Sequence, residues 1–484
     1  MEEKLMRLDA EAAFAGCERL WQDGASRENI RRMFEEAYAG FGARVVVLDD
    51  DPTGVQTVHD ISVVTSWDEE TLARVLATGE RLFFVLTNSR SFSAEKTVEV
   101  HREIARNAMA AARRAGVQLM IISRGDSTLR GHYPLETQVL RDTLEGEGMP
   151  AFAGEVLCPF FKEGGRFTIG GVHYVREGDK LTPAAQTEFA KDKTFGYRHS
   201  ALKEYIQEKS AGAAAAEQIV TITLEELRSL DFAAIEQKLL GMTGYHYVAA
   251  DAIEEADVQA LATVLMRLAA RGRNYLIRSA AAVPKVFGNV PDRPLLSREE
   301  MISPDSQVGG MVLVGSHVKK TTDQLNCLRE SGVPLTFIEF RVDGWQTPGG
   351  LAEETRRTVA LAEEAMRAGR TAVVYTSRQL VLPRDASPEE LLAISVRISE
   401  AVTNVVGCLS FRPRFLIAKG GITSSDVGTK ALRVKQARVL GQAQPGIPVW
   451  QTGGESLFPG LCYIIFPGNV GSETTLRTIV EALA

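Results

Sequence analysis

Short apolar runs alternate with longer amphipathic stretches along most of the chain. Residues 45–48, 82–87 and 118–123 are apolar, and the first of these runs is β-branched and too short for a helix. Such runs predict buried parallel strands. Between them, apolar residues recur at helical spacing, for example over residues 93–114. This alternation predicts an α/β fold, in which mainly parallel sheets are flanked by helices.

The same pattern divides the chain into segments. Residues 1–43 keep helical spacing and predict a helical N-terminal extension, and strands and helices then alternate over 44–283. Residues 284–307 contain four prolines and little periodicity, which predicts a linker. Alternation resumes over 308–484. We therefore expect two α/β domains with a cleft between them.

Composition and charge narrow the class of protein. The chain has 484 residues, 45% of them hydrophobic and 24% charged, as in soluble globular proteins. Its net charge of −7 argues against nucleic-acid binding. The five cysteines and seven histidines lack the spacing of a disulfide framework or a resident metal site. No apolar stretch predicts a signal peptide or a membrane span, so we expect a cytoplasmic protein.

Three adjacent aspartates follow the first apolar run of the first domain. Asp49, Asp50 and Asp51 stand directly before Pro52 and Gly54, which end a strand and allow a sharp turn. They would lie at the carboxyl end of a strand, where open α/β sheets bind ligands. Neighbouring carboxylates repel one another, so they are best tolerated where a cation or substrate hydroxyls meet them. The alternative is a solvated turn with an aspartate cap.

Charged residues also follow the next predicted strands of the first domain. A carboxylate can fix sugar hydroxyls, and an arginine can bind a substrate carboxylate through two parallel hydrogen bonds. The alternative for the arginines is a structural pair with an aspartate. The candidates are Arg90, Asp126, Ser127 and Arg130, with Arg166 as a weaker one.

The second domain contains three junctions of strand, glycine loop and helix. They are Gly315-Ser316, residues 419–424 and residues 467–472. Glycine lets a polyanion approach the backbone, and a helix N-terminus offers free N–H groups to it. Three such loops in one domain favour a nucleotide triphosphate site, although ordinary turns between strands and helices are the alternative. Neither a Walker loop nor a GxGxxG fingerprint is present.

Taken together, these motifs resemble the four-carbon acid sugar kinase family, and they occur in that family's order. The first domain contributes Asp50-Asp51-Pro-Thr-Gly54, Asn88-Ser-Arg90, Gly125-Asp-Ser-Thr-Leu-Arg-Gly131, Cys158-Pro159 with Gly165-Arg166-Phe-Thr, and Thr194-Phe-Gly-Tyr197. The second contributes Gly315-Ser316, Gly420-Gly-Ile-Thr-Ser424 and Pro467-Gly-Asn-Val-Gly471.

The resemblance implies an ATP-dependent kinase, assisted by Mg²⁺, that phosphorylates a hydroxyl of a sugar acid such as threonate or erythronate at the inter-domain cleft. A homodimer is plausible for the family. By the resemblance, Asp50 and Asp51 are catalytic, whereas Arg90, Asp126, Ser127 and Arg130 bind the substrate. ATP would be bound by Ser316, Lys419, Gly420, Gly421, Ile422, Thr423, Gly468 and Gly471.

Three departures from the family pattern indicate a divergent subgroup, and one of them is extra length at both ends of the chain and around residues 176–216. Ile422 stands where the family usually has an acidic or polar residue, and Asp-Pro-Thr replaces the more common Asp-Leu-Thr. Ile422 leaves open a non-catalytic sugar-acid sensor with a degenerate ATP site. A second alternative is a phosphatase of the haloacid dehalogenase type, because Asp49-x-Asp51-x-Thr53 matches its DxDxT pattern with Asp49 as the nucleophile.

Overall fold

The computed structural model describes residues 5–24, 26–303, 306–316, 318–378, 387–468 and 470–484. The strands are β1 (Leu8–Asp9), β2 (Arg44–Asp49), β3 (Ile61–Val64), β4 (Leu82–Leu86), β5 (Leu119–Arg124), β6 (Phe152–Cys158), β7 (Arg166–Ile169), β8 (Val172–Glu177), β9 (Lys180–Pro183), β10 (Ile219–Ile222), β11 (His246–Ala250), β12 (Asn274–Ser279), β13 (Met311–Val314), β14 (Leu335–Phe340), β15 (Thr371–Thr376), β16 (Leu416–Lys419), β17 (Gln436–Gln444), β18 (Ile447–Thr452) and β19 (Cys462–Phe466).

The helices cover the amphipathic stretches between these strands. They are α1 (Ala10–Glu18), α2 (Ser26–Gly40), α3 (Glu69–Ala77), α4 (Ala94–Ala115), α5 (Leu135–Gly146), α6 (Leu202–Lys209), α7 (Leu224–Arg228), α8 (Phe232–Leu240), α9 (Glu255–Ala270), α10 (Ala282–Phe287), α11 (Arg298–Met301), α12 (Lys319–Arg329), α13 (Gly350–Arg367), α14 (Pro388–Gly407), α15 (Gly421–Asp426) and α16 (Thr475–Leu483). Within the described residues, no helix is both long and apolar enough to cross a membrane.

The chain forms two compact units whose boundaries differ from the predicted domains. The first unit contains the residues up to Thr57 together with Trp67–Pro291, and the second contains Val58–Ser66 and Asp292–Ala484. Strand β3 belongs to the second unit because it pairs antiparallel with β17. The predicted linker over 284–307 overlaps α10 and contains α11. Pro284 fits in α10 because a first helical turn tolerates proline.

The first unit is built on a parallel sheet with the strand order β10-β11-β6-β12-β5-β2-β4. From β2 the chain continues to β4 on one side and then to β5 on the other side of β2. The strand order therefore reverses between β2 and β5, and an open sheet binds ligands at the carboxyl ends of strands at such a point. A small antiparallel sheet, β1-β9-β8-β7, contains a hairpin of β7 and β8, whose turn residues Gly170 and Gly171 have φ of 59° and 76°.

Helix α4 illustrates how local sequence fixes an element of this unit. The Ser93 side chain accepts a hydrogen bond from the Lys96 backbone N–H at the start of the helix, and Gly116 ends it at a φ of 65°. A serine cap and a left-handed glycine satisfy the free backbone groups of the two ends. The predicted helix over 93–114 is confirmed within one residue.

The N-terminal extension packs firmly on the first unit. It contains α1 and α2, as predicted, and also the short strand β1, which pairs with β9. The guanidinium of Arg228, which is fully buried, lies 4.4 Å from the centre of the Trp21 ring and donates to both carboxylate oxygens of Asp257 in α9, at 2.7 and 2.9 Å. Arg228, the last residue of α7, also donates to the backbone carbonyl of Cys17 at 2.6 Å, so its contacts join the extension to α7 and α9.

The second unit has the strand order β3-β17-β18-β19-β16-β13-β15-β14, and its last five strands are parallel. Its strand order reverses between β13 and β16, because the chain passes from β13 to β14 and β15 on one side and to β16 on the other. The antiparallel hairpin of β17 and β18 was not predicted from the sequence. The buried positions of β17 alternate regularly, but three of the four are small residues, Ala437, Gly441 and Ala443, so the hydrophobic pattern is weak.

Candidate functional site

The three aspartates after β2 differ sharply in exposure. The side chains of Asp49 and Asp50 are each 2% exposed, whereas that of Asp51 is 25% exposed. They lie at the carboxyl end of β2, on the edge where the strand order of the first unit reverses. Of the three carboxylates, Asp51 is therefore the one that a ligand can reach.

Asp49 fills the space under the turn that follows β2. Its carboxylate accepts a hydrogen bond from Arg124 at 3.2 Å, and a Cβ atom added to Gly54 would overlap it. Position 54 therefore has no room for a side chain, and only glycine fits there. Burial raises the pKa of Asp49 to about 7, although the charge of Arg124 acts in the opposite direction.

Arg90 joins the other two aspartates. It lies in the short helical turn Ser89–Ser91 after β4 and donates to both carboxylate oxygens of Asp50, at 3.1 and 2.6 Å, and to Asp51 at 3.0 Å. The structural ion pair that the sequence left open as an alternative is thus present. Burial raises the pKa of Asp51, but the Arg90 charge and the hydrogen bonds from Thr53 outweigh it and leave that pKa below its ordinary value.

The loop after β5 contains a second ion pair. The Asp126 carboxylate accepts from Arg130 Nε at 2.8 Å and from the Thr128 hydroxyl. Despite burial, the charges of Arg90 and Arg130 hold the pKa of Asp126 well below its usual range. The side chain of Ser127 is half-buried, and its backbone carbonyl accepts a hydrogen bond from the buried His173 at 2.9 Å.

Two arginines share one aromatic ring beside this loop. The guanidinium carbons of Arg130 and Arg166 lie 5.1 and 5.4 Å from the centre of the Phe189 ring. Burial lowers the pKa of Arg166, against the influence of the Asp126 charge. The Arg130 charge also lowers the pKa of Arg166, so the two guanidinium groups together favour a nearby anion. Arg166 was only a weak candidate in the sequence, and the geometry makes it a stronger one.

A buried network below the aspartates was missed in the sequence. Arg278, at the end of β12, donates to Ser123 at 2.8 Å and pairs with Glu136, which also accepts from Ser89 at 2.7 Å. A side chain on Gly125 would overlap the Arg278 guanidinium. The sequence feature that could have indicated this network is a charged residue at the end of an apolar strand. Arg124 has this position in β5, and Arg278 has it in β12.

In the second unit, the loops after β13 and β16 are packed together without side chains between them. A Cβ atom on Gly315 would overlap the Thr423 hydroxyl, and one on Gly420 would lie 3.2 Å from the Ser316 Cβ. Gly420 also has a φ of 123°, a backbone conformation that residues with a side chain rarely adopt. The structure thus brings Ser316, Gly420 and Thr423 together at the point where the strand order reverses.

Lys419 occupies a different position from the one expected of a phosphate-binding lysine. It is 0% exposed, and its ammonium donates to the backbone carbonyls of Pro467 at 2.8 Å and Gly468 at 3.2 Å. Burial, followed by the charge of Lys320, lowers the pKa of Lys419 to about 7. In this structure Lys419 holds the loop after β19 against the end of β16. Its predicted contact with ATP stays a prediction.

The glycine loop predicted over residues 419–424 is largely helical. Lys419 ends β16, and α15 begins at Gly421, because Gly420 makes the whole turn. Gly421 and Ile422 are exposed in the first turn, with Ile422 72% exposed. Gly468 lies near the Ser316 hydroxyl, and Gly471, with a φ of 81°, packs against Thr475.

Arg378 was not singled out in the sequence, although it follows β15 directly. Its guanidinium donates to the backbone carbonyl of Ser316 at 2.7 Å and to that of Thr376 at 3.1 Å. It therefore adds a half-buried positive charge beside the glycine loops. A basic residue after an apolar strand was the available signal.

The described side chains contain no group of three or more His, Cys, Asp or Glu residues arranged to hold a metal ion. Mg²⁺ in kinases binds through one or two carboxylates together with the substrate phosphates, so it does not require such a group. The donor set of the second unit, which is glycine backbone, hydroxyls and Arg378, is suited to phosphate oxygens.

Both units match known domains. A sugar-binding N-terminal domain model matches residues 45–286, and a nucleotide-binding C-terminal domain model matches residues 311–476. A D-threonate kinase from Cupriavidus necator is 26% identical over 392 residues, which cover 78% of this chain and 83% of that protein.

Two solved structures share the fold. A Haemophilus influenzae protein of the DUF1537 family has a TM-score of 0.60 at 16% identity and covers 91% of this chain and 100% of its own. A Salmonella typhimurium LT2 protein, provisionally described as a tRNA synthase, has a TM-score of 0.62 at 19% identity and covers 90% of this chain and 98% of its own. At these identities the likeness concerns the fold alone.

Proposed function

Because the chain belongs to the four-carbon acid sugar kinase family, we propose that it transfers the terminal phosphoryl group of ATP to a hydroxyl of a four-carbon or similar sugar acid. The observation that carries this proposal is the arrangement of the first unit's site, where one reachable carboxylate, Asp51, is linked through Arg90 and Asp126 to Arg130, whose guanidinium shares the Phe189 ring with that of Arg166. A sugar acid presents a hydroxyl for Asp51 and a carboxylate for the two guanidinium groups at Phe189.

Asp51 is the residue that we propose to orient the acceptor hydroxyl and to receive its proton. Its low pKa keeps it ionised at neutral pH, so it accepts a hydrogen bond from a hydroxyl throughout the working range. Phosphoryl transfer needs positioning and charge neutralisation more than a strong base, because its transition state is loose. Asp50, almost fully buried, acts on Asp51 through Arg90, which both carboxylates share.

Arg130 and Arg166 are proposed to bind the carboxylate of the sugar acid. Arg90 donates to two carboxylates, Asp50 and Asp51, whereas Arg130 donates to one, that of Asp126, and Arg166 to the backbone carbonyl of Gly164. The pair at Phe189 therefore keeps more positive charge for an anion. Asp126 holds Arg130 in place through its Nε atom. Fixing the acid at one end and the hydroxyl at the other selects both the length and the chemistry of the substrate.

The second unit is proposed to bind ATP through the backbone N–H groups of Gly421 and Ile422 and the hydroxyl of Ser316. Both backbone positions are exposed at the start of α15. We propose that Mg²⁺ arrives with the nucleotide, because it would bind mainly phosphate oxygens and would neutralise their charge. Arg378 and Lys419 supply positive charge and fix the two loops that surround the phosphates.

The two alternative functions fit the geometry less well. In a phosphatase of the haloacid dehalogenase type, Asp49 would attack the substrate, but its carboxylate lies under the Gly54 turn and contacts Arg124. A sugar-acid sensor would need a blocked nucleotide site, whereas the exposed Ile422 side chain leaves the adjoining backbone open. A cytoplasmic location and a homodimer stay predictions.

A coupled assay that follows ADP release tests the proposal against a panel of four- to six-carbon sugar acids, D-threonate and erythronate among them. We expect ADP release that depends on one acid and a product heavier by one phosphoryl group. ADP release with none of the acids, together with a thermal shift on adding ADP, would reject the proposed acceptor class. Absence of the thermal shift as well would favour the sensor.

A further inference from the structure

A cavity of about 680 Å³ lies in the first unit at the edge of the sheet opposite Asp51. The residues at the starts of β2, β5, β6 and β12 form its floor, and Asp51 follows the other end of β2. The last turns of α2, α4 and α9 form its walls. The volume is in the range of pockets that hold small organic ligands.

The N-terminal extension supplies one wall of this cavity. Gly40, which ends α2, and residues 41–43 line it, and they precede the matched sugar-binding domain, which begins at residue 45. Arg27 of α2 donates to both carboxylate oxygens of Glu254 at the start of α9, at 2.9 and 3.0 Å, so this wall does not depend on a loose segment. The cavity is thus a property of the extended chain and is separate from the proposed acceptor site.

The lining suits a flat aromatic molecule. Glycine and alanine residues leave room between four methionines and three aromatic residues of the lining, and thioether and aromatic groups both pack favourably against aromatic rings. Methionine side chains also adapt their shape to a ligand more easily than branched side chains do. The residues concerned are Met109, Met120, Met149, Met266, Phe41, Phe152 and Tyr275.

The charged groups of the lining favour an acidic substituent on that molecule. Arg113 and Arg267 line the cavity together with one carboxylate, that of Glu36. The Arg113 side chain is 54% exposed and lies 3.3 Å from Glu147, while Arg267 lies 3.6 Å from Glu236. Arg113 donates to Glu147 through Nη1 and Nη2, which leaves its Nε for a ligand, and the 3.6 Å separation of Arg267 from Glu236 exceeds hydrogen-bond distance. Arg267 can therefore bind an acid group through two parallel bonds, and Arg113 can add one.

We propose that this cavity is a second binding site, which takes a flat aromatic molecule carrying one acidic group. The ring system lies among the methionines, and the acidic group lies on Arg113 and Arg267. The site is independent of the proposed kinase activity, because its residues are not among those that we assign to either reactant.

Two matched fluorescent probes test this proposal on the full-length protein. The probe 8-anilinonaphthalene-1-sulfonate has an aromatic body and one acidic group, and N-phenyl-1-naphthylamine is the same body without the acid. We expect the sulfonate to bind at one site with a Kd below about 100 µM and the neutral amine to bind at least ~5-fold more weakly. Equal or tighter binding of the neutral amine would overturn the acidic ligand class.

Paired variants locate the probe. Met149→Gln changes a half-buried residue of the lining, and Met33→Gln changes a half-buried methionine outside it. Arg113→Gln and Arg114→Gln lie side by side in the last turn of α4, but only the first residue lines the cavity. We expect Met149→Gln and Arg113→Gln each to weaken sulfonate binding at least ~5-fold, and their partners to leave it unchanged.

The neutral amine separates the role of charge from that of shape. Arg113→Gln should leave its binding unchanged, whereas Met149→Gln should weaken it. Sulfonate binding that survives Met149→Gln, or that is lost equally in Met33→Gln, would overturn the site. Thermal unfolding of all four variants, expected within about 2 °C of the parent protein, shows that they are folded.

Discussion

The two units place their candidate sites at the same point of an α/β sheet but build them by opposite means. In the first unit, Arg90, Asp50 and Asp51 hold one another by charge, so the site depends on ion pairs. In the second unit, Gly315 and Gly420 allow the backbone of two loops to pack together, so the site depends on the absence of side chains. The site of the first unit should therefore respond to changes of charge and pH, and the site of the second unit to changes of side-chain volume.

Replacing Asp51 tests this comparison with the largest expected effect. Asp51→Asn keeps the shape but removes the carboxylate proposed to receive the acceptor proton, so kcat should fall at least ~10²-fold. The KM for ATP should not change, because the nucleotide loops lie in the other unit. The control is Asp179→Asn, whose side chain is 82% exposed. Retained activity would exclude Asp51 from this role.

A pair of glycine variants tests the second unit. Gly315→Ala places a methyl group against Thr423 and should destabilise the protein by about 1–3 kcal/mol. Gly421→Ala meets nothing within 4 Å and should change stability by less than about 0.5 kcal/mol. Thermal unfolding with and without ADP measures both. If Gly421→Ala is stable but no longer binds ADP, the nucleotide approaches the backbone closely at Gly421. If Gly421→Ala destabilises the protein as much as Gly315→Ala does, the close packing of Gly315 against Thr423 is not the cause.

Arg166→Gln tests the anion site of the first unit. Removing one of the two guanidinium groups over Phe189 should raise the KM for the sugar acid about 10-fold and leave the KM for ATP unchanged. Steady-state kinetics with each substrate varied in turn distinguishes the two constants. Arg198→Gln, on an 82% exposed side chain, is the control. An unchanged KM for the acid would remove Arg166 from the site.

The pH dependence of stability tests the burial of Asp49. Its pKa rises from an ordinary 3.8 in the unfolded chain to about 7 in the folded protein, so only the folded state keeps the proton between these values. The contribution to stability is full below pH 4 and is lost as the pH rises towards 7. Urea unfolding at pH 5 and 7.5 should therefore show a loss of about 2–3 kcal/mol that Asp49→Asn lacks. The same loss in both proteins would contradict the assignment.

The smallest effect is expected at Ile422. Because its side chain is 72% exposed, Ile422→Ser should change stability by less than about 0.5 kcal/mol. If the backbone binds the phosphates, the Kd for ADP, measured by calorimetry, should change less than ~3-fold. A tenfold gain in ADP affinity would instead mean that isoleucine obstructs the site, as the sensor hypothesis requires.

The features that the sequence predicted well are local ones. Strand ends such as Asp49 and glycine turns such as Gly420 follow from apolar runs and from residues that end them. The features that it missed depend on distant partners. Arg278 reaches Glu136, and the Lys419 ammonium turns to the carbonyl of Pro467. No periodicity encodes such contacts, because strand order decides which loops meet.

The membership of β3 in the second unit has a consequence for synthesis of the chain. Its partner β17 begins at Gln436, so most of the first unit leaves the ribosome long before β3 can pair. At roughly 5–20 residues per second, β3 waits on the order of half a minute. During that time Ile61, Val63 and Val64, all buried in the finished protein, are exposed on the nascent chain. This segment is therefore where we expect a chaperone to bind during translation.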